Sequence, residues 1–377
     1  MSVRWHFTLF LLISFMVFAP LIAGGDRDAQ RPDDAVFIAA HDDALRRARV
    51  WVRPDTPVER ASLRTNPDGP DSLDARKTVS CRFRPGGVSG TTPKFDCELD
   101  GGDTVKVKYG RNNPELYTEV IATRLLTVLG FPADRMYVVD RVRCYGCPDD
   151  PFAGLQCINE GQSVNACFPQ LDYATYHEFD AAVIERPIKG RRIETSRRRG
   201  WTWEELGKID AGAGGASRAH VDALRLMAVF LNHWDNKDKN QRLLCLGEKD
   251  APGHQFTPGS CQRPLAMIQD LGATFGPEKL NLVRWAASPL WSDATSCAVS
   301  MKTLPEGGST FPDARISEEG RKFLADRLRR LSREQIRDLF EGANVAAYPK
   351  GDSNVDRWVS AFENRARAIT DHGPCPN

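Results

Sequence analysis

The alternation of apolar and polar positions along the chain predicts a β-rich stretch followed by a mainly helical one. Thr104-Val105-Lys106-Val107-Lys108-Tyr109 alternates strictly, which predicts a strand with Val105 and Val107 on a core and both lysines on the other face. Pro114 to Gly130 predicts a helix that stops at glycine. A second strand is expected at Ala181–Glu185. Val221 to Leu231 is apolar enough for a largely buried helix, and Arg242–Leu246 and Leu265–Ile268 read as two short buried strands. Towards the carboxyl end, Ser317 opens a helix carrying Phe323, Leu324, Leu328 and Leu331. Ser332-Arg333-Glu334-Gln335 is a capping box for the next, and a last helix is expected near Val355–Thr370. These apolar stripes are core rather than binding surface.

Between the buried helix and the two short strands lies His233-Trp234-Asp235-Asn236-Lys237-Asp238-Lys239-Asn240, and Asp270-Leu271-Gly272 follows the second strand. The spacings are H-x-D-x-x-x-x-N and D-x-G. Moving a phosphoryl group needs a carboxylate that orients the attacking hydroxyl, together with oxygen ligands that hold a divalent cation on the phosphates. Asp235 suits the first task, and Asn240 and Asp270 supply the hard oxygens of the second. Two other readings stand beside this one. Asp, Asn and Lys favour solvated turns, and a calcium loop would want an acid or amide where Lys237 stands and glycine where Asn240 stands.

Phosphates also need a cation held by a carboxylate. Lys108 with Glu119, on the helix that follows its strand, is the expected ion pair, with Lys106 and Glu115 as runners-up. The ordinary alternative is an edge strand with solvated lysines. Upstream, Gly86, Gly87 and Gly90 could bring backbone amides close to a phosphate, although the segment fits neither common phosphate-loop pattern and a hairpin turn explains it equally well.

The order glycine loop, Lys108, Glu119, H-x-D-x-x-x-x-N and D-L-G resembles the protein-kinase-like superfamily. The lack of V-A-I-K, H-R-D and A-P-E makes it similar to the atypical branch: the HipA-type, type II phosphatidylinositol kinase and secretory-pathway kinase families. The resemblance spans Gly86 to Gly272 and rests on short segments. It implies an α+β, two-lobed protein-kinase-like fold with a small β-rich N-lobe and a mainly helical C-lobe. It implies ATP with Mg²⁺ or Mn²⁺ in the cleft, with Glu185 at the hinge beside the nucleotide, and transfer of the γ-phosphate to a hydroxyl acceptor on protein, sugar or lipid. A catalytically inactive kinase-like binding protein is the alternative.

The amino terminus sets the compartment. Arg4 precedes an apolar run from Phe7 to Ala23, and Ala23-Gly24-Gly25 offers small residues for cleavage, so 1–25 reads as a signal peptide or an N-terminal anchor. A membrane partner is expected only if that segment stays uncleaved. Residues 26–76 read as an extended arm with a short helix at Asp42–Val52, 77–188 as the N-lobe with a Cys-rich insertion at 144–167, and 189–377 as the C-lobe.

Ten cysteines agree with export. Local bridges are expected for Cys81 with Cys97, Cys157 with Cys167 and Cys245 with Cys261, with Cys297 and Cys375 tying the carboxyl-terminal part. Cys144, Cys147, Cys157 and Cys167 could instead hold a structural Zn²⁺. Lys plus Arg (51) nearly balances Asp plus Glu (50), so nothing points to nucleic acid. The run from Lys189 to Arg199 is the local exception, readable as an anionic dock or as a solvated linker.

Overall fold

Five strands close into a barrel that occupies the first half of the chain. They are β1 (Thr78–Arg84), β2 (Lys94–Leu99), β3 (Thr104–Tyr109), β4 (Arg135–Tyr145) and β5 (Tyr176–Arg186), in the order β1-β2-β3-β5-β4, with β1 returning parallel to β4. This computed structural model describes residues 32–86, 90–195, 198–249 and 256–376. The apolar segment at 1–25, Gly87 and Arg197 therefore lie outside the described residues.

Alternation decides which side chains fill the barrel. Phe83, Phe95, Val105, Val107, Tyr137 and Ile184 point in and form one core with Cys81, Cys97 and Cys144. The opposite face of β3 is covered rather than solvated. Helix α2 (Glu115–Leu129), entered after Pro114 and ended by Gly130 at φ 90°, packs along it and is buried nearly all round, its Glu115, Thr118 and Glu119 included.

The first helix, α1, runs Pro32–Arg46 rather than Asp42–Val52. The chain leaves the helix because Arg49 enters a parallel bridge to Leu265, which draws Val50 into the core and makes 49–52 extended. The segment read as an extended arm thus contributes Leu45, Ala48, Val50 and Leu63 to the main core.

Two short helices, α3 (Pro151–Asn159) and α4 (Val164–Cys167), fill the β4–β5 connection. Beyond the barrel, β6 (Gly190–Arg192), β7 (Gln241–Leu246) and β8 (Pro264–Ile268) make a three-stranded sheet in the order β6-β7-β8. The remaining helices are α5 (Arg218–Leu231), α6 (Leu282–Ala287), α7 (Glu318–Arg329), α8 (Arg333–Gly342), which opens on the Ser332/Gln335 capping box, and α9 (Val355–Thr370). They close the main core around Phe230, Trp285, Phe340, Trp358 and Phe362.

One polar group stands inside that apolar packing. Arg365 on α9 is buried and donates to four carbonyls, those of Val229, Phe230, Trp285 and Ser288. Two of these end α5, where the helix leaves carbonyls unpaired and a cation is favoured.

All ten cysteines are bridged: Cys81–Cys97, Cys144–Cys147, Cys157–Cys167, Cys245–Cys261 and Cys297–Cys375. The zinc reading of Cys144, Cys147, Cys157 and Cys167 is corrected by this pairing, because zinc is ligated by thiolates and both pairs are spent on disulfides. No helix among the described residues is long and apolar enough to cross a membrane.

Candidate active site

The loop from His233 to Asn240 begins where α5 ends in Asn232 at left-handed φ 53°. Its geometry is fixed by side chains bonding the loop's own backbone. Asn236 Nδ2 donates to the His233 carbonyl at 2.9 Å and Asn240 Nδ2 to the Asp235 carbonyl at 2.7 Å. Strand β7 starts directly after Asn240 and pairs with β8 so that Gln241 faces Ile268. The register places Asp270 just beyond that pair, and the Asn240 carbonyl accepts the backbone N–H of both Gln269 and Asp270 at 3.1 Å. Asp270 Oδ1 in turn accepts from Gly272 N at 3.0 Å.

Lys108 lies on the covered face of β3 and is only 2 % exposed. Its ammonium bonds Glu119 on α2 and lies 3.4 Å from Glu185 and 3.6 Å from Glu115. Lys106, its neighbour on the same face, bonds Glu185 at 2.9 Å. Burial works against the charge on Lys108, yet Glu119, Glu185, Glu115 and Asp270 together hold it well above the ordinary lysine value. Burial also works against Glu185, but Lys106 and Lys108 bring it down to about 2. Glu119 goes the other way. Burial pushes it up to about 8 against the pull of Lys108, because Asp270, Glu115 and Glu185 crowd it. Burial and the neighbouring carboxylates thus favour the protonated form of Glu119.

Asp270 joins this cluster to the loop. It acts electrostatically on Lys108 and Glu119 on one side and on His233, which also feels Asp235, on the other. Thr118 Oγ1, next to Glu119, donates to the Gly272 carbonyl at 2.9 Å. A Cβ on Gly272 would come within 2.7 Å of Glu115 Cγ, so the turn needs glycine to sit this close to α2. Asp235 is half-buried, its side chain 30 % accessible, and its Oδ1 lies 3.0 Å from Lys237 Nζ.

The glycine hairpin joins β1 to β2. A Cβ on Gly90, at φ 90°, would lie 2.9 Å from Lys94 Nζ, whereas one on Gly86 would meet nothing within 4 Å. Lys94 is directly opposite Lys108 in the β2–β3 register and lies 3.7 Å from Glu115. The structure thus brings Lys106, Lys108, Glu119, Glu185 and Asp270 into one network, sets Asn240 and Asp235 on its border, and leaves Gly86 at the hairpin edge.

Sequence reasoning passed over Lys94, Thr92 and Lys279, all of which bond or face Glu115. For Lys94 the signal was available, since Lys94-Phe95-Asp96-Cys97-Glu98 alternates as clearly as β3 and puts Lys94 and Asp96 on the lysine face. Lys279 sits in a loop at left-handed φ 56°, and no local pattern announces its reach to Glu115.

No protein-family model and no curated protein matches this chain. Solved structures that resemble it include two kinases. One is the proinflammatory kinase CtkA of Helicobacter pylori, 11 % identical with a TM-score of 0.40, the match covering 78 % of this chain and 98 % of that one. The other is the Golgi casein kinase with Mn/ADP bound, 12 % identical with a TM-score of 0.34, covering 82 % and 73 %.

Proposed function

We propose that the chain is an exported, two-lobed, kinase-like phosphotransferase that moves the γ-phosphate of ATP to a hydroxyl acceptor. The observation that carries this reading is the joining of the Lys108–Glu119 pair to Asp270, and of Asp270 to Asn240 and Asp235, through the β7–β8 register. An ordinary edge strand would leave Lys108 in solvent, and a solvated turn would not lie beside a buried acid cluster.

The residues fit a magnesium or manganese nucleotide. Asn240 spends its Nδ2 on the Asp235 carbonyl, which leaves Oδ1 to ligate, and Asp270 keeps Oδ2 beyond the bond from Gly272. These are hard oxygens of the kind such cations take. The bound cation would neutralise charge on the phosphates. Lys108 would hold the phosphates with Glu119 fixing its position, Lys106 and the amides near Gly86 and Gly90 would line the same side, and Glu185 would mark the hinge. Asp235 would orient the acceptor hydroxyl and take its proton. The five disulfides support export, because such bridges persist in oxidising compartments.

A second reading, an inactive nucleotide-binding relative, is favoured by one observation: Lys108 is already surrounded by Glu115, Glu119 and Glu185. Calorimetry with Mg-ATP on the native chain and on Asp270→Ala tests the nucleotide site. Binding that depends on Asp270 supports it, and unchanged affinity in the variant removes it. Screening protein, sugar and lipid acceptors with labelled ATP then separates the enzyme from the inactive relative.

A further inference from the structure

Sulfurs from three strands meet inside the barrel. Cys81 on β1, Cys97 on β2 and Cys144 on β4 are each no more than 1 % exposed, and one sulfur from each lies within 4.8 Å of the others. The strand register produces this, since Cys81 and Cys144 are direct partners in the parallel β1–β4 pair and Cys97 faces Phe83 in the adjoining β1–β2 pair. Cys81–Cys97 crosses the strands that flank the glycine hairpin, and Cys144 is bonded to Cys147 three residues on. The two bridges touch, with Cys97 Sγ 3.7 Å from Cys144 Sγ.

The cluster has an outside and an inside. Cys147 is partly exposed, whereas the other three are buried. The chain turns out at Gly146, φ 78°, where the ring of Tyr173 lies so close that a Cβ would come within 2.6 Å of it. A reductant therefore meets Cys147 first. Disulfide exchange needs a thiolate beside a second disulfide, and losing Cys147 would leave Cys144 as that thiolate, already against Cys97.

We infer that Cys81, Cys97, Cys144 and Cys147 form a thiol–disulfide exchange site that takes a dithiol as reductant and moves the buried bridge from Cys81–Cys97 to Cys97–Cys144. One dithiol thiolate attacks Cys147 Sγ, the Cys144–Cys147 bond breaks, and Cys144 leaves as a thiolate. Cys144 attacks Cys97 Sγ, forming the new bond as Cys81 departs with the electron pair and takes a proton. The second thiol of the reductant displaces Cys147, which leaves as a thiol, and the reductant departs as its own disulfide. Two electrons enter, and the chain keeps one bridge, Cys97–Cys144, with Cys81 and Cys147 as thiols. The cross-link then ties β2 to β4, and β1 and β2 are left joined by their backbone ladder alone. None of this depends on the phosphotransferase reading.

Titration of the native full chain with dithiothreitol, quenched with N-ethylmaleimide and mapped by peptide mass spectrometry, tests it. The expected first product carries maleimide on Cys81 and Cys147 and a Cys97–Cys144 cross-link at least tenfold above its level in the untreated protein. Maleimide on Cys144 and Cys147 with Cys81–Cys97 intact would overturn the inference. Cys144→Ser should keep Cys81–Cys97 intact at the same dithiol concentration, and equal loss of that bridge in this variant would overturn it as well.

Discussion

Thr118 Oγ1 donates a 2.9 Å hydrogen bond to the Gly272 carbonyl, so the helix that carries Glu119 is tied to the turn that carries Asp270. The two elements are 154 residues apart in the chain. Thr118→Val keeps the shape and removes the donor, leaving a buried carbonyl unpaired. The expected cost is about 1–3 kcal/mol in urea unfolding, accompanied by weaker Mg-ATP binding because Asp270 loses its register with Glu119. A variant with wild-type stability and wild-type affinity would show that the bond does not position the turn.

Asp235→Asn separates binding from chemistry. The amide is isosteric and Asp235 is half-buried and paired with Lys237 rather than with Lys108, so fold and Mg-ATP affinity should persist while turnover falls roughly 10²–10⁴-fold. Equal phosphotransfer by wild type and variant would remove Asp235 from the reaction.

Lys108 and Glu119 should respond unequally. Lys108→Met withdraws the cation from Glu115, Glu119 and Glu185 and should destabilise the fold by roughly 3–5 kcal/mol, the usual cost of breaking a buried pair. Glu119 already favours its protonated form near neutrality, so Glu119→Gln should cost distinctly less at pH 7. Chemical denaturation of the two variants side by side measures the difference, and a larger loss in Glu119→Gln would contradict the proton placement.

His233 gives the chain a pH dependence of known sign. Burial lowers its imidazole from 6.5 to about 4, against the pull of Asp270 and Asp235. A folded-state value below the unfolded one means the neutral form is favoured by folding. Its contribution is therefore complete above pH 6.5 and is lost as pH falls from 6.5 towards 4, by roughly 3 kcal/mol at about 1.4 kcal/mol per unit. His233→Gln should flatten the stability profile in that window. Parallel profiles for variant and wild type would place the acid sensitivity elsewhere.

Cys297–Cys375 closes a separation of 78 residues, the longest of the five bridges. Replacing both cysteines by serine should lower stability by about 4 kcal/mol through the loop entropy returned to the unfolded chain. Thermal unfolding without reductant reads this, and an unchanged midpoint would mean that α9 is held by packing alone.

Much of this was legible because local rules were left undisturbed. Strand β3 and helix α9 lie at the expected spans, and α2 within a residue of its own, since alternation, a proline entry, a glycine exit and an apolar stripe agree at those places. The Lys108–Glu119 contact was legible from the same two patterns, one strand face and one helix face brought together. What escaped depended on long-range pairing. The barrel closes by a parallel β1–β4 pairing that no short window contains. Helix α1 lies earlier than expected because Arg49 is captured by Leu265, a partner more than two hundred positions away. Lys279 escaped for the same reason: its position in the site is set by a left-handed loop and not by a repeat.

Arg365 ties the end of the chain to the root of the loop that bears Asp235. The four carbonyls it holds include two in the last turn of α5, those of Val229 and Phe230, shortly before the loop that bears Asp235. A ribosome releases the barrel, α2 and the loop itself well before residue 365 emerges. Until α9 docks, the Val229 and Phe230 carbonyls lack the cation and keep only their bonds from Asn232 N and Trp285 Nε1. The entry to the Asp235 loop thus gains these contacts only when the tail of the chain folds back.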